Sequence, residues 1–309
     1  MINILRQLSV IIISLIIAQT ISAQDNYDIK IKIDGYTDST LLLTSYFGEK
    51  IKIVDTAYSD KSGDFHFKGE KRLPGGIYMA VSITKKKLFE FIVSSSQNFV
   101  LSTDTSNYAL NMKVKGSVDN KVFYSYLKYN EEKYQQNALI KNKIDSLEAL
   151  SIETEDLKIQ RELLNKEAIN FKLEVIEKNN GTFVSSLLNS MRDIEIPDSI
   201  KNSTDSTLSF RYYKQHFWDN LDLSDSSLLR TPVFMRKIKQ YFEQVVVFHP
   251  DSVIVAIDTI ILKARPSDEV VGYLVWHFIS EYQNPKFMGF DKVFVHLVDE
   301  YFSKEDMPN

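Results

Sequence analysis

Met112-Lys-Val-Lys-Gly-Ser-Val-Asp-Asn-Lys-Val-Phe-Tyr-Ser-Tyr126 is where the chain changes its period. Up to Gly116 apolar residues alternate with polar ones in short runs; beyond it they recur every 3.6 residues. A chain that alternates first and winds afterwards is β-rich and then α-helical. The fold class expected is therefore α+β: an N-terminal antiparallel β-sandwich followed by an all-α domain with a long helical hairpin.

Upstream of that point, eight short runs carry strand character. Tyr27-Asp-Ile-Lys-Ile-Lys-Ile33 alternates cleanly and turns at Asp34-Gly35, and Leu41–Phe47 and Ile51–Tyr58 follow. Asp60-Lys-Ser-Gly63 supplies a hairpin loop, after which Asp64-Phe-His-Phe-Lys68 places both phenylalanines on one face. Ile77–Ile83, Leu88–Val93, Phe99–Thr103 and Met112–Lys115 complete the set, and their spacing near ten residues reads as a sandwich. Downstream, Val122, Tyr126 and Tyr129 open a helix. Its stripe continues through Ile140, Ile144 and Leu147, then through Leu157, Leu164, Ala168, Phe171 and Val175. The phase breaks between Ser151 and Glu155, so the two arms form a hairpin that bends there. Asn179-Asn-Gly181 stops the second arm.

A short helix is expected from Thr182 to Met191 and a polar loop from Pro197 to Thr207. Helices are expected at Leu208–Asn220, Pro232–Val247, Ser252–Lys263, Ser267–Tyr282 and Asp291–Tyr301. Asp251 and Ser267 stand where N-caps belong. Phe210, Tyr212, Tyr213, Phe217, Trp218, Phe234, Tyr241 and Phe242 are the aromatic residues expected to build the helical core.

At the N-terminus, Arg6 precedes an apolar run from Leu8 to Ile17, and Ile21-Ser-Ala23 offers a small residue for cleavage. The run is too short to cross a bilayer core of ~30 Å and has the length of a secretory h-region. The organisation expected is a leader at 1–23, a sandwich at 24–116, the hairpin at 117–180 and a helical domain at 181–309. An exported, soluble chain of this kind belongs in a periplasm, with no membrane span once the leader is removed.

Composition removes several chemistries. The 309 residues hold 37 Lys+Arg against 41 Asp+Glu, a formal charge of −4, and lysines spread along the chain give no basic footprint for nucleic acid. There is no cysteine, so neither a thiolate nucleophile, a CxxC pair nor a thiolate metal site exists. Walker, dinucleotide and nucleophile-elbow patterns are missing. The five histidines, His66, His216, His249, His277 and His296, form no HxxxH or HExxH pair. Asp219, Asp222 and Asp225 hint at calcium, but a calcium loop needs oxygens at positions one, three and five and a glycine at six. Here the acids fall out of register, and Asp225 is better placed to cap the next turn. No catalytic residue, cofactor-binding residue or metal ligand is assigned. Five Asp-Ser/Thr-aliphatic tripeptides begin at Asp55, Asp145, Asp198, Asp251 and Asp258. They resemble acceptors of periplasmic O-glycosylation and equally suit caps, turns and strand ends.

Two groups of motifs carry a family resemblance. Asp60-x-x-Gly-x-Phe-x-Phe-x-Gly69, Leu73-Pro-Gly-Gly-Ile-Tyr78, Phe89-Glu-Phe-Ile-Val93 and the stretch 111–120 resemble a β-rich domain of unknown function. That domain precedes thioredoxin-like domains in periplasmic thiol:disulfide interchange proteins of the TlpA/AhpC-TSA type. Phe217-Trp-Asp-Asn-Leu-Asp-Leu-Ser-Asp225, Leu229-Arg-Thr-Pro-Val-Phe234, Tyr241-Phe242, Tyr282-x-x-Pro285 and Met288-Gly-Phe-Asp-x-Val-Phe-Val-His-Leu297 are similar to the helical module between those two domains. The resemblance spans about residues 25–302. It implies a non-enzymatic region that positions a C-terminal thioredoxin-like domain or binds its clients. Such relatives carry their CxxC pair in that domain, and no residue of this chain matches it. A stand-alone periplasmic binding or scaffold protein is the other expectation, with a protein partner and no cofactor.

Overall fold

The computed structural model describes residues 26–302; the expected leader at 1–23 lies outside the described residues. Eight strands come first: β1 Tyr27–Asp34, β2 Thr40–Phe47, β3 Lys50–Tyr58, β4 Phe65–Gly69, β5 Gly76–Ser82, β6 Lys87–Val93, β7 Asn98–Asp104 and β8 Lys113–Lys115. They form two four-stranded sheets, ordered β4-β1-β7-β8 and β3-β2-β5-β6. The period-two reading explains the packing: Ile29, Ile31, Phe65, Phe67, Phe99 and Leu101 from one sheet meet Leu41, Leu43, Ala80, Phe89 and Phe91 from the other in one core. The pairing is antiparallel except between β1 and β7, which run parallel because the chain builds the opposite sheet between them.

The helices are α1 Val118–Glu148, α2 Glu155–Lys178, α3 Phe183–Ser190, α4 Asp198–Lys201, α5 Leu208–His216, α6 Pro232–Gln244, α7 Pro250–Ala264, α8 Asp268–Tyr282 and α9 Asp291–Leu297. A 3₁₀ turn at Leu228–Arg230 precedes α6, and a π turn at Val298–Phe302 follows α9. The α+β class and the hairpin stand as expected. Ser117 caps α1 by accepting the Asn120 N–H, and Gly181, at φ +82, ends the turn after α2. Among the described residues no helix is long and apolar enough to cross a membrane.

Several boundaries differ from expectation. The stretch 197–207 contains the single-turn α4, begun by Pro197, whose carbonyl accepts from Lys201. α5 stops at His216 because Asp219 and Leu221 bond three residues back, to His216 and Trp218, and tighten the chain out of the α-helix. α7 begins at Pro250, whose missing N–H suits the first position. His249 is thus the cap and accepts the Asp251 N–H, leaving Asp251 inside the first turn. Ser267 caps α8 as expected. The helical core holds Phe217, Trp218, Phe234 and Tyr241 fully, with Tyr213 and Phe242 half-buried, whereas Phe210 points outward. Although α3 follows the hairpin, its Val184, Leu187 and Leu188 pack into the sandwich core, and Phe183 touches both cores.

Candidate functional site

Among the places in the described residues where charged and polar side chains converge are a seam between sandwich and helical domain, a cleft at the hairpin base, and the β4 turn.

The seam is made by a tongue. β2 and β3 are joined by Gly48-Glu49, and Gly48 takes φ +58 at the position a type II′ turn reserves for glycine. The tip enters the helical domain, where the Gly48 N–H donates to the Leu229 carbonyl at 2.9 Å. The Glu49 N–H donates to the Tyr273 hydroxyl at 3.3 Å. A Cβ on Gly48 would collide with the Tyr273 ring. Phe47 presents its ring to Tyr273 at 5.4 Å and 86°. Its faces receive the Lys52 ammonium at 3.8 Å and the Arg230 guanidinium at 5.5 Å. Arg230 is buried and held by both carboxylate oxygens of Glu269 and by the Ser226 carbonyl. Glu49 pairs with Lys239 of α6, whose ammonium holds the Glu49 carboxyl below its usual range. His277 stacks parallel to Tyr273, and burial pushes its pKa down. Beside the tongue lies a groove of about 580 Å³, lined by Tyr46, Glu49, Met235, Lys239 and Glu243 among others.

At the hairpin base, Asp119 and Asn120 in the first turn of α1 tie three segments together. The buried Asp119 carboxylate accepts the Val184 N–H of α3 at 2.8 Å and the Ser94 hydroxyl at 2.5 Å. Asn120 is fully buried; its Oδ1 accepts the Ile92 N–H at 2.8 Å and its Nδ2 donates to the Ile92 carbonyl at 2.7 Å. Its amide thus does for β6 what a neighbouring strand would do. Tyr124 adds a bond to the Glu90 carbonyl at 2.5 Å. Gln97 bonds Leu73 and Ser94, and Arg72 donates to the Ser95 carbonyl at 2.8 Å. These groups border a polar cleft of about 500 Å³.

The β4 turn gathers Asp60, Asp64 and His66 with ligand atoms within 4.8 Å of one another. In the sequence this group shows only as Asp-x-x-x-Asp-x-His across a hairpin loop, with a single histidine and no histidine pair to mark it. Its chemistry does not favour a cation. Asp64 Oδ2 is already taken by Lys30 at 2.7 Å and Lys32 at 2.6 Å, and two ammonium groups repel a metal ion. Burial pushes the Asp64 carboxyl up, but the bonds from Lys30 and Lys32 outweigh this and leave its pKa below the usual value. Asp60 spends one oxygen on the Ser62 and Asp64 amides.

The other sequence candidates disperse. Asp219 bonds His216 at 2.6 Å, Asp222 takes Ser224, and Asp225 accepts the Ser227 N–H at 2.9 Å ahead of the 3₁₀ turn, the capping role expected of it. His296 bonds Asp258 at 2.9 Å, which the Tyr301 hydroxyl also reaches at 2.7 Å. Of the tripeptide hydroxyls, Ser146 and Thr259 bond back to carbonyls four residues earlier in their helices, and Thr56 is exposed on β3.

The geometry at the seam and hairpin base is that of joints: paired charges and satisfied amides. Searches among curated proteins and among solved structures return no match. Residues 27–123 match the family model described as Domain of unknown function (DUF4369), and residues 166–308 match that described as Domain of unknown function (DUF5106).

Proposed function

We propose that this chain is the non-catalytic, protein-binding region of an exported thiol:disulfide interchange system, acting in the periplasm to position a thioredoxin-like domain or to hold its clients. The reading rests on the motif resemblance over both modules. The observation that supports it is the seam: Phe47, Gly48 and Glu49 join the sandwich to Leu229, Lys239 and Tyr273, which suits a mount for a further domain. A chain without cysteine supplies no attacking thiolate of its own, so any electron transfer belongs to the domain it serves.

The test adds the purified chain to a separate thioredoxin-fold oxidoreductase from the same periplasm. Expected are saturable binding by calorimetry, altered client reduction by the mixture, and insulin reduction at buffer rate by the chain alone. Turnover by the chain alone, or neither binding nor an effect on the oxidoreductase, would overturn the proposal. Binding to a periplasmic protein without any redox effect would favour the second reading, a scaffold. The exposed apolar residues of the hairpin, Tyr134, Leu139, Ile159 and Leu163, support that reading.

A further inference from the structure

Of the four outer strands of the two sheets, two are short and one is closed by side chains. β8 has three residues and β4 five, while β6 is closed by Asn120 and Tyr124. β3 is different. It has nine residues, pairs among the described residues only with β2, with the Ser59–Phe65 bridge to β4 just past its end, and leaves Ile51, Ile53 and Tyr58 59%, 63% and 74% exposed. Lysines on an edge usually discourage pairing. Here Lys50 and Lys52 are both exposed, and Lys52 leans toward the Phe47 ring on the interior side of the sheet, the side on which Asp55 also lies.

The strand also carries a register signal. Ile53 lies opposite Thr44 and Asp55 opposite Leu43, so Val54 is an extra, bulged residue. The bulge reverses the alternation. Lys52 opposite Ser45, Asp55 opposite Leu43 and Ala57 opposite Leu41 all face the sandwich interior, while Ile51, Ile53 and Thr56 face outward. Two copies joined edge to edge about a two-fold axis normal to the sheet keep interior with interior. Each residue before the bulge must then meet one after it.

One register satisfies this along the strand and matches charge: Lys52 meets Asp55 of the second copy, Ile51 meets Thr56, Lys50 meets Ala57, and Ile53 and Val54 flank the axis. Symmetry makes the Lys–Asp pair twice. Asp55 is already held at the rim by the Tyr27 hydroxyl at 2.9 Å. A slip of one residue puts each charge against a side chain of the opposite face. We infer that β3 is a self-association edge, on which a second copy of this chain adds antiparallel to give one continuous eight-stranded sheet.

Sedimentation equilibrium of the full chain into the high micromolar range tests this. The wild type is expected to dimerise reversibly, and Lys52→Asp and Asp55→Lys to weaken each homodimer about tenfold by setting like charges opposite. An equimolar mixture of the two variants restores both charge pairs and is expected to associate again, a rescue that unfolded variants cannot give. Amide exchange on the wild type needs no substitution: β3 amides slow as concentration rises. A wild type monomeric throughout, exchange at β3 independent of concentration, or a dimer that both variants leave intact would each overturn the inference. A monomer that captures a foreign extended peptide on β3 overturns it too.

Discussion

Phe47 of β2 and Tyr273 of α8 meet edge to face, 226 positions apart in the chain, with centroids 5.4 Å apart. Through this contact the sandwich registers against the helical domain. Gly48→Ala forces a side chain into φ +58 and into the Tyr273 ring, at a combined cost of about 2–4 kcal/mol. Urea unfolding followed by tryptophan fluorescence should show a lower midpoint. Tyr273→Ala should relieve the clash while losing about 2 kcal/mol of ring packing. Because both act on one contact, the double variant should cost less than the sum of the singles.

Asn120 gives the sharpest test of the hairpin's attachment. Asn120→Ala strands a buried N–H and a buried carbonyl of Ile92, which should cost about 2–4 kcal/mol. Asn120→Asp keeps the shape but sets a carboxylate against that carbonyl, and should be at least as damaging. Amide exchange at Ile92 should accelerate in both variants while β1 stays protected.

His277 gives stability a dependence on pH. Its ordinary value is 6.5; burial pushes it down, while Glu49 and Glu281 push it up less and Lys239 adds to the fall. The unfolded chain therefore takes up this proton at a higher pH than the folded one. The contribution is complete above 6.5 and is lost as pH falls through the unfolded value toward the folded one. His277→Gln should flatten the fall in unfolding midpoint between about pH 7 and pH 5.

The Asp60–Asp64–His66 group should behave as a charge network rather than a metal centre. Zinc or a chelator should leave the melting temperature unchanged, since Lys30 and Lys32 already occupy the Asp64 oxygen. Asp64→Ala leaves two ammonium groups facing each other and should cost about 1–3 kcal/mol. As the Asp64 pKa is lowered on folding, its contribution is present above the unfolded value of ~3.9 and disappears as pH falls through the folded one.

Strands such as β1 and β7 were legible because one face is apolar, and turn residues such as Gly63, at φ +79, bound the runs; β5, buried throughout, and β3, buried only at Ala57, were marked by composition and turns rather than by alternation. The hairpin was legible from its stripe. What escaped were relations set by tertiary position. The parallel β1–β7 pairing leaves no local mark, since a strand buried on one face alternates alike in either orientation. Phe210 has the composition of a core residue, but α5 stops at His216 and turns that face outward. The role of Asn120 was hidden for another reason: a polar residue in a first helical turn looks like an ordinary cap neighbour until a strand edge lies against it. The β4-turn cluster was readable in spacing, yet only the two lysines of the adjacent strand decide its chemistry.

The hairpin has one further consequence. Apart from Ile144, the buried side chains of α1 lie between Asp119 and Tyr126, and α2 buries only Val175 near its far end. The 31-residue α1 is about 46 Å long at 1.5 Å per residue, so its buried anchor to the sandwich, Ile144 aside, occupies only its first third, around Asn120. A tilt of about 5° at that anchor would sweep the loop at Ser151 through roughly 4 Å over the same length. The amide that closes β6 thus also stands at the base of the hairpin, where a small change of angle would be amplified most at the tip.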